Sequence, residues 1–132
     1  MYIIDSDILV FLDRGRVNIQ ERMYQAGISN CFVSEISLAE LYVGAYKGRD
    51  AKMLSFLTYV EKMLGILPIS SVIPIYAKLR AGLELQGNRL DLDNMDLFIA
   101  ATALANDCTL VTHNTRHFAR IPGLKLEDWV EE

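Results

Sequence analysis

The chain has 132 residues, 52% of them hydrophobic, with two cysteines and with 13 Lys and Arg against 17 Asp and Glu. A chain of this length reads as one domain, residues 1–132, able to bury roughly two-thirds of its unfolded surface without covalent staples. The acidic balance, a pI near 5.2, excludes a general nucleic-acid coat, whose affinity would come from cationic contacts with phosphates.

The opening M-Y-I-I-D-S-D has two acids and no basic region followed by a long apolar run. No stretch of about 18 apolar residues follows it, so the chain is expected to be cytoplasmic, without a membrane span. A first strand is predicted over residues 2–5 and a short helix over 7–13. Asp5 then stands at the carboxyl end of a strand, where open parallel sheets bind ligands, with no helix of its own to stabilise before residue 7. Residues 16–26 form a surface helix closed by Gly27. A strand over 28–33 follows, and Ser34 is the N-cap of a helix over 35–47 whose face is Ile36, Ala39, Val43 and Tyr46. Glu40 lies on or beside that face, where an acid is costly unless paired or metal-bound.

Residues 50–64 give another amphipathic helix, with Met53, Leu54, Leu57, Val60, Met63 and Leu64 as its stripe, and the two helices over 35–64 are predicted to form a hairpin. A short strand over 66–69 precedes a helix to about Gln86, with Ser70 and Ser71 as its cap and Pro74 in its first turn. Gly87 and Asn88 end that helix, and residues 89–92 are read as a loop. From Leu97 to Ala105 every residue except Thr102 is apolar, so this helix has no solvent face and lies inside the fold. A buried strand over 108–112, a polar turn over 113–118 and an edge strand over 124–126 complete the chain. The alternation predicts an α/β fold with a mostly parallel central sheet of four to five strands flanked by helices. Cys31 and Cys108, both in predicted strands and without C-x-x-C spacing, are expected to be reduced core thiols.

Each acid has a structural explanation. Asp93 and Asp96 fit a capping box, and Ser37 to Glu40 matches the S-x-x-E capping pattern. Jointly, Asp5 at a strand end, Glu40 on a buried helix face and Asp96 at the mouth of the buried helix converge on the carboxyl edge of the sheet. Crowded carboxylates raise one another's pKa unless a cation keeps them ionised. Oxygen donors select hard ions, Mg2+ or Mn2+, before zinc.

Three blocks, Y-I-I-D-S-D-I-L, S-E-I-S-L-A-E-L-Y-V-G and D-x-F-I-A-A-T-A-L-A-N-D-C-T-L-V-T-H-N-T-R-H-F, together resemble the PIN-domain ribonucleases, and more closely the toxin half of VapBC-type toxin–antitoxin pairs. The final R-I-P-G-L-K-L-E-D-W is similar to the tail of many such toxins, so the resemblance spans nearly the whole chain. It implies a PIN-like domain and an endoribonuclease toxin that uses Mg2+ or Mn2+ held by acids, with Asp5, Glu40 and Asp96 matching the first three. At the fourth position many relatives carry an aspartate where this chain has Asn114, and others an acid where it has His117. Asp7 is then the replacement charge, with Asp93 a weaker substitute, and the Ser6 hydroxyl is expected to orient a carboxylate. Arg116 and Arg14 are candidates for RNA phosphates, and His113 and His117 read as polar turn residues. The resemblance further implies a cognate antitoxin, received in part by the helical hairpin, a homodimer, and operator DNA reached only through the antitoxin complex.

Two rivals compete with this reading. D-S-D after a strand also opens haloacid-dehalogenase-like phosphatases, with Asp5 as nucleophile; this leaves Glu40 and Asp96 unexplained. The other is a catalytically impaired PIN-like binding module that has lost the fourth acid.

Overall fold

A computed structural model describes residues 1–87 and 92–131. In chain order the elements are β1 (Tyr2–Ile4), α1 (Ser6–Asp13), α2 (Val17–Ala26), β2 (Cys31–Ser34), α3 (Glu35–Lys47), α4 (Ala51–Met63), β3 (Gly65–Leu67), α5 (Ile73–Leu85), α6 (Asn94–Ala105), β4 (Thr109–Val111), α7 (Thr115–Phe118) and β5 (Lys125–Glu127). The five strands lie in the order β3-β2-β1-β4-β5, and every pairing is parallel. This is the expected α/β architecture, with β3 and β5 at the edges.

Because side chains alternate across a strand, a sheet buried on both faces must be apolar at consecutive positions. β1 and β4 meet that demand. Ile4 and Val111 face one core with Ile8, Leu9, Met23, Val33, Leu57, Val60 and Trp129. Ile3 and Leu110 face the other with Leu83, Leu97, Ile99, Ala100, Ala103 and Phe118. In α6, Leu97 and the run Ile99–Ala103 are buried, as its lack of a polar face requires. Thr102, its one polar exception, donates its hydroxyl to the Phe98 carbonyl at 2.7 Å.

Several boundaries differ from the sequence reading. Ile28–Asn30 is a 3-10 turn ahead of β2 rather than strand, because Gly27 takes φ +91° and the Asn30 side chain donates to the Ala26 carbonyl. Ser70 and Ser71 do not cap α5; they lie in a 3-10 turn, Ser70–Val72, that runs into the helix with no side-chain cap. Ser37 does not cap either, since α3 starts at Glu35 with Ser34 accepting from the Ile36 N–H. The buried stripe of α3 is Ser37, Leu38, Leu41 and Ala45, whereas Val43 and Tyr46 are exposed. The helix touches α1, α4 and α6, and the faces those neighbours need are not the one the spacing from Ile36 suggests. The α4 stripe is as expected, and α3 and α4 pack together with the Tyr42 hydroxyl on Glu61. Both cysteines are free and buried, Cys108 just ahead of β4. The loop predicted over 89–92 lies outside the described residues except for Leu92, which is buried, and Asn88 lies outside them too.

Gly65 opens the edge strand β3 opposite Phe32 of β2. A Cβ there would stand 2.5 Å from the Phe32 ring, so the ring rests on bare backbone. Gly65→Ala is expected to lower stability by about 1 to 3 kcal/mol in urea unfolding, and Phe32→Leu in the same chain should recover part of the loss by removing the ring.

Candidate active site

β1 sits at the centre of the sheet, with β2 on one side and β4, from far along the chain, on the other. The strand order reverses between β1 and β4, which opens a crevice at their carboxyl ends. Asp5 is the first residue beyond β1 and is only 7% exposed. Its N–H donates to the Val111 carbonyl at 2.9 Å. Its Oδ1 accepts from the Ser6 N–H at 2.8 Å and its Oδ2 from the Thr112 hydroxyl at 2.9 Å. Two expectations are corrected here. α1 begins at Ser6, so Asp5 is its N-cap, and Ser6 reaches Asp5 through its backbone N–H. The orienting hydroxyl belongs instead to Thr112, which the sequence reading used only as a strand residue; a buried hydroxyl at the carboxyl end of the strand beside β1 was the available signal.

Asp7 is the second residue of α1. Its Oδ2 accepts from the His113 N–H at 3.0 Å and stands 3.4 Å from the Thr112 hydroxyl, while its Oδ1 accepts from the Ile8 N–H at 2.7 Å. Thr112 in turn accepts from the Asn114 N–H at 3.1 Å, so one hydroxyl links the ends of β1 and β4 to the turn that follows. Asp96 is held at the mouth of α6, where Asp93, the N-cap, accepts its N–H at 2.8 Å. The Asp96 Oδ2 meets the His117 Nε2 at 3.0 Å. His117 is therefore not a bland turn residue. Glu40 is half-buried in α3.

The electrostatics show that these acids have been brought together. Burial, then the charges of Asp7 and Asp96, raise the Asp5 carboxyl to about 6, against the opposing bonds from Ser6 and Thr112. Burial raises Glu40 to about 7, with Asp5, Asp96 and Asp93 adding repulsion. Asp7 is raised by burial and partly relieved by the His113 and Ile8 N–H groups. Asp96 is raised by burial, with His117 opposing and Asp93 reinforcing. Among the described residues no Lys or Arg pairs with any of these acids.

The remaining candidates are peripheral. Asp93 is exposed and committed to its cap. Asn114 precedes α7 with an exposed side chain that makes no capping bond. Arg116 and Arg14 are exposed. His113 turns its Nδ1 to Asp128 Oδ2 at 2.9 Å, away from the role of a lone turn residue.

Residues 2–124 match the PIN domain as a family. This chain belongs to the PIN-domain family. Its PIN domain is 31% identical over 128 residues to Ribonuclease VapC1 of Rickettsia felis, covering 94% of this chain and 92% of that one. The crystal structure of VapBC2 from Rickettsia felis bound to a DNA fragment from its promoter is similar with a TM-score of 0.87 and 32% identity, covering 98% of both chains. VapBC-1 from nontypeable Haemophilus influenzae is similar with a TM-score of 0.83 and 30% identity over the same 98% shares. Membership in this family sets aside the phosphatase reading of Asp5.

In this PIN domain Asp5, Glu40 and Asp96 lie within electrostatic range of one another, and Asp7 adds a fourth charge beside Asp5 where Asn114 brings none. Half-buried and buried oxygen donors, with no Lys or Arg ion-paired to them among the described residues, suit a hard divalent ion. As the side chains stand, no three His, Cys, Asp or Glu among the described residues are grouped closely enough to hold one.

The raised carboxyls set the sign of a pH effect. Acids whose folded pKa exceeds the unfolded value bind more protons when folded, so stability falls as pH rises from the ordinary carboxylate range through the folded values. For Asp5 and Glu40 that window runs from 3.8 and 4.5 up to about 6 and about 7. Metal-free protein is therefore expected to melt at a higher temperature at pH 5.5 than at pH 8, and Asp5→Asn should gain about 1 to 3 kcal/mol at pH 8 and flatten the profile. Thr112→Val, which removes the hydroxyl from Asp5 and from the Asn114 N–H, should instead cost about 1 to 3 kcal/mol in chemical denaturation.

Proposed function

We propose that this chain is the endoribonuclease toxin of a VapBC-type toxin–antitoxin pair, hydrolysing RNA phosphodiesters with Mg2+ or Mn2+ at the carboxyl edge of its sheet. The observation that carries the reading is the set of acids Asp5, Asp7, Glu40 and Asp96, crowded at the strand-order reversal with raised carboxyls and, among the described residues, no Lys or Arg ion-paired to them. A fold that spent this charge on stability would have paired it. The relatives named ribonucleases, matched nearly end to end, support the same reaction class.

Asp5, Glu40 and Asp96 would hold the ion, with Asp7 and Asn114 as further oxygen donors or as hydrogen-bond partners of its water shell. When bound, a divalent cation supplies the charge that keeps the acids ionised, together with Lewis acidity that activates water for attack on phosphorus near neutral pH. The residues of the chain prepare this arrangement. Thr112 and the Ser6 N–H fix both oxygens of Asp5, the His113 N–H fixes Asp7, and His117 with the Asp93-capped helix end aims Asp96. No protein nucleophile is required. Arg116 and Arg14 are exposed cations for the RNA backbone outside the acid cluster.

The partners follow from the same family reading. The cognate antitoxin neutralises the toxin, operator DNA is reached through the toxin–antitoxin complex, and the toxin is a homodimer of residues 1–132 acting in the cytoplasm. Exposed Val43, Tyr46, Tyr59, Ile66, Ile73 and Leu85 provide apolar surface for protein partners, and no helix among the described residues is long and apolar enough to cross a membrane.

Purified, antitoxin-free protein is expected to cut cellular RNA with Mg2+ or Mn2+ and to stop in EDTA, and Asp5→Asn and Asp96→Asn should each lose at least about a hundredfold in rate. Metal binding by the wild type without cleavage of any RNA would favour the impaired binding module. Cutting that persists in both variants would refute the site.

A further inference from the structure

To the carboxylates of this cluster His117 brings an imidazole nitrogen, with its Nε2 3.0 Å from the Asp96 Oδ2. Its side chain is only 23% exposed, although it belongs to a short turn of helix whose neighbour Arg116 faces solvent. The ring is fixed edge to face against the buried Phe118, with centroids 5.5 Å apart and planes at 87°. Phe118 is anchored in the core beneath α6. The nitrogen is thereby aimed at the carboxylate by packing, not by a mobile turn.

A separation of 3.0 Å suits an imidazole hydrogen-bonded to a carboxylate. It also suits two adjacent donors on one cation, since octahedral bonds of about 2.1 Å place neighbouring donors about 3.0 Å apart. The imidazole and Asp96 therefore stand at the spacing of two donors on one ion, and sharing it requires the unprotonated nitrogen to turn from the carboxylate oxygen toward the ion.

We propose that His117 is a nitrogen ligand of the cation site, adjacent to Asp96, and that it biases this chain toward borderline ions such as Mn2+ over Mg2+. The proposal rests on the metal-dependent reading above and adds to it a donor and an ion preference. Imidazole is a softer donor than carboxylate, so it strengthens binding of Mn2+, and more so of Co2+, while adding little for Mg2+, which retains water in preference to nitrogen. An acid at position 117 would erase that difference, since the donor set would return to oxygen alone.

The test uses metal-free wild type, His117→Gln and His117→Glu, with Asp5→Asn as the control for the site itself. Glutamine keeps an N–H to hold Asp96 but has no imidazole nitrogen to offer. By calorimetry, His117→Gln should bind Mn2+ about tenfold more weakly while its Mg2+ affinity changes less than about threefold, and His117→Glu should recover Mg2+ binding without the Mn2+ preference. Electron spin-echo spectroscopy of the Mn2+ form should show a directly bonded 14N in the wild type and none in His117→Gln. If the wild type binds Mn2+ but shows no such nitrogen, or if the nitrogen persists in His117→Gln, or if that variant loses both ions equally, His117 is not a selective ligand and the proposal is overturned while the metal site stands. If wild type and Asp5→Asn alike bind no divalent ion, the metal-dependent reading itself fails.

Discussion

Repulsion among the carboxylates at the end of the sheet is the condition to which the rest of the structure answers. Asp5 caps and Asp7 opens one short helix, Glu40 belongs to a second and Asp96 to a third; burial favours a proton on each, and like charge adds to it at Asp5, Glu40 and Asp96. Among the described residues no lysine or arginine is ion-paired to them. The fold surrounds them with neutral donors: the Ser6, Ile8 and His113 N–H groups and the Thr112 hydroxyl. Such donors stabilise a negative charge without cancelling it, and they leave the net charge available to a cation. His117, paired with Asp96, is a side chain on these acids able to carry positive charge. The cost of the arrangement falls on the stability of the metal-free protein, which is the usual place for a functional site to draw on.

The layers explain how such a cluster is held in register. Helix α6 lies between the sheet and α5 with no polar face, and an immersed helix of this kind is located by packing on all sides. Its amino end is fixed by Asp93, so Asp96 in the next turn inherits the rigidity of the core. β1 and β4, each flanked by strands on both sides and covered on both faces, give Asp5 and Thr112 the same footing. The positions of three side chains thus derive from the best-packed parts of the molecule, although the side chains themselves stand at its edge. Such support would leave only side-chain rotation to bring the donors onto an ion.

The sequence was most informative where a local pattern has one physical solution. An apolar run of helical length with an acid at its mouth could only be a buried capped helix, and α6 is one, with Asp93 as cap. Glycine after a polar helix stopped α2, and Ser34 opened α3. The reading erred where competing solutions share a pattern. In α3 there are more apolar residues than buried positions, so spacing from Ile36 selected Val43 and Tyr46, whereas the neighbours α1, α4 and α6 take Leu38, Leu41 and Ala45. The two serines before α5 look like a cap, but the chain enters that helix through a tighter turn that needs no side chain. Long-range relations were hardest to see. Nothing local distinguishes Thr112 from any strand-end threonine, and the contact of His117 with Asp96 depends on the fold of the intervening chain. The acids Asp5, Glu40 and Asp96 were singled out by their places at a strand end, on a helix face and at a helix mouth, and the resemblance to a family added the information about distance that periodicity lacks.

The bond between Thr112 and Asp5 joins residues 107 positions apart, and the strand that carries Thr112 is the central partner of the first strand. During synthesis the ribosome releases Asp5, Asp7 and Glu40 early and Thr112 and His117 late. Until β4 has emerged, β1 has an open flank, Asp5 has no hydroxyl to fix it, and Asp96 has no imidazole opposite. The carboxylate edge is accordingly assembled only once the chain through His117 has left the tunnel. A translation product that stops short of Thr112 carries most of the acids in order along its backbone and yet lacks the geometry that brings them together.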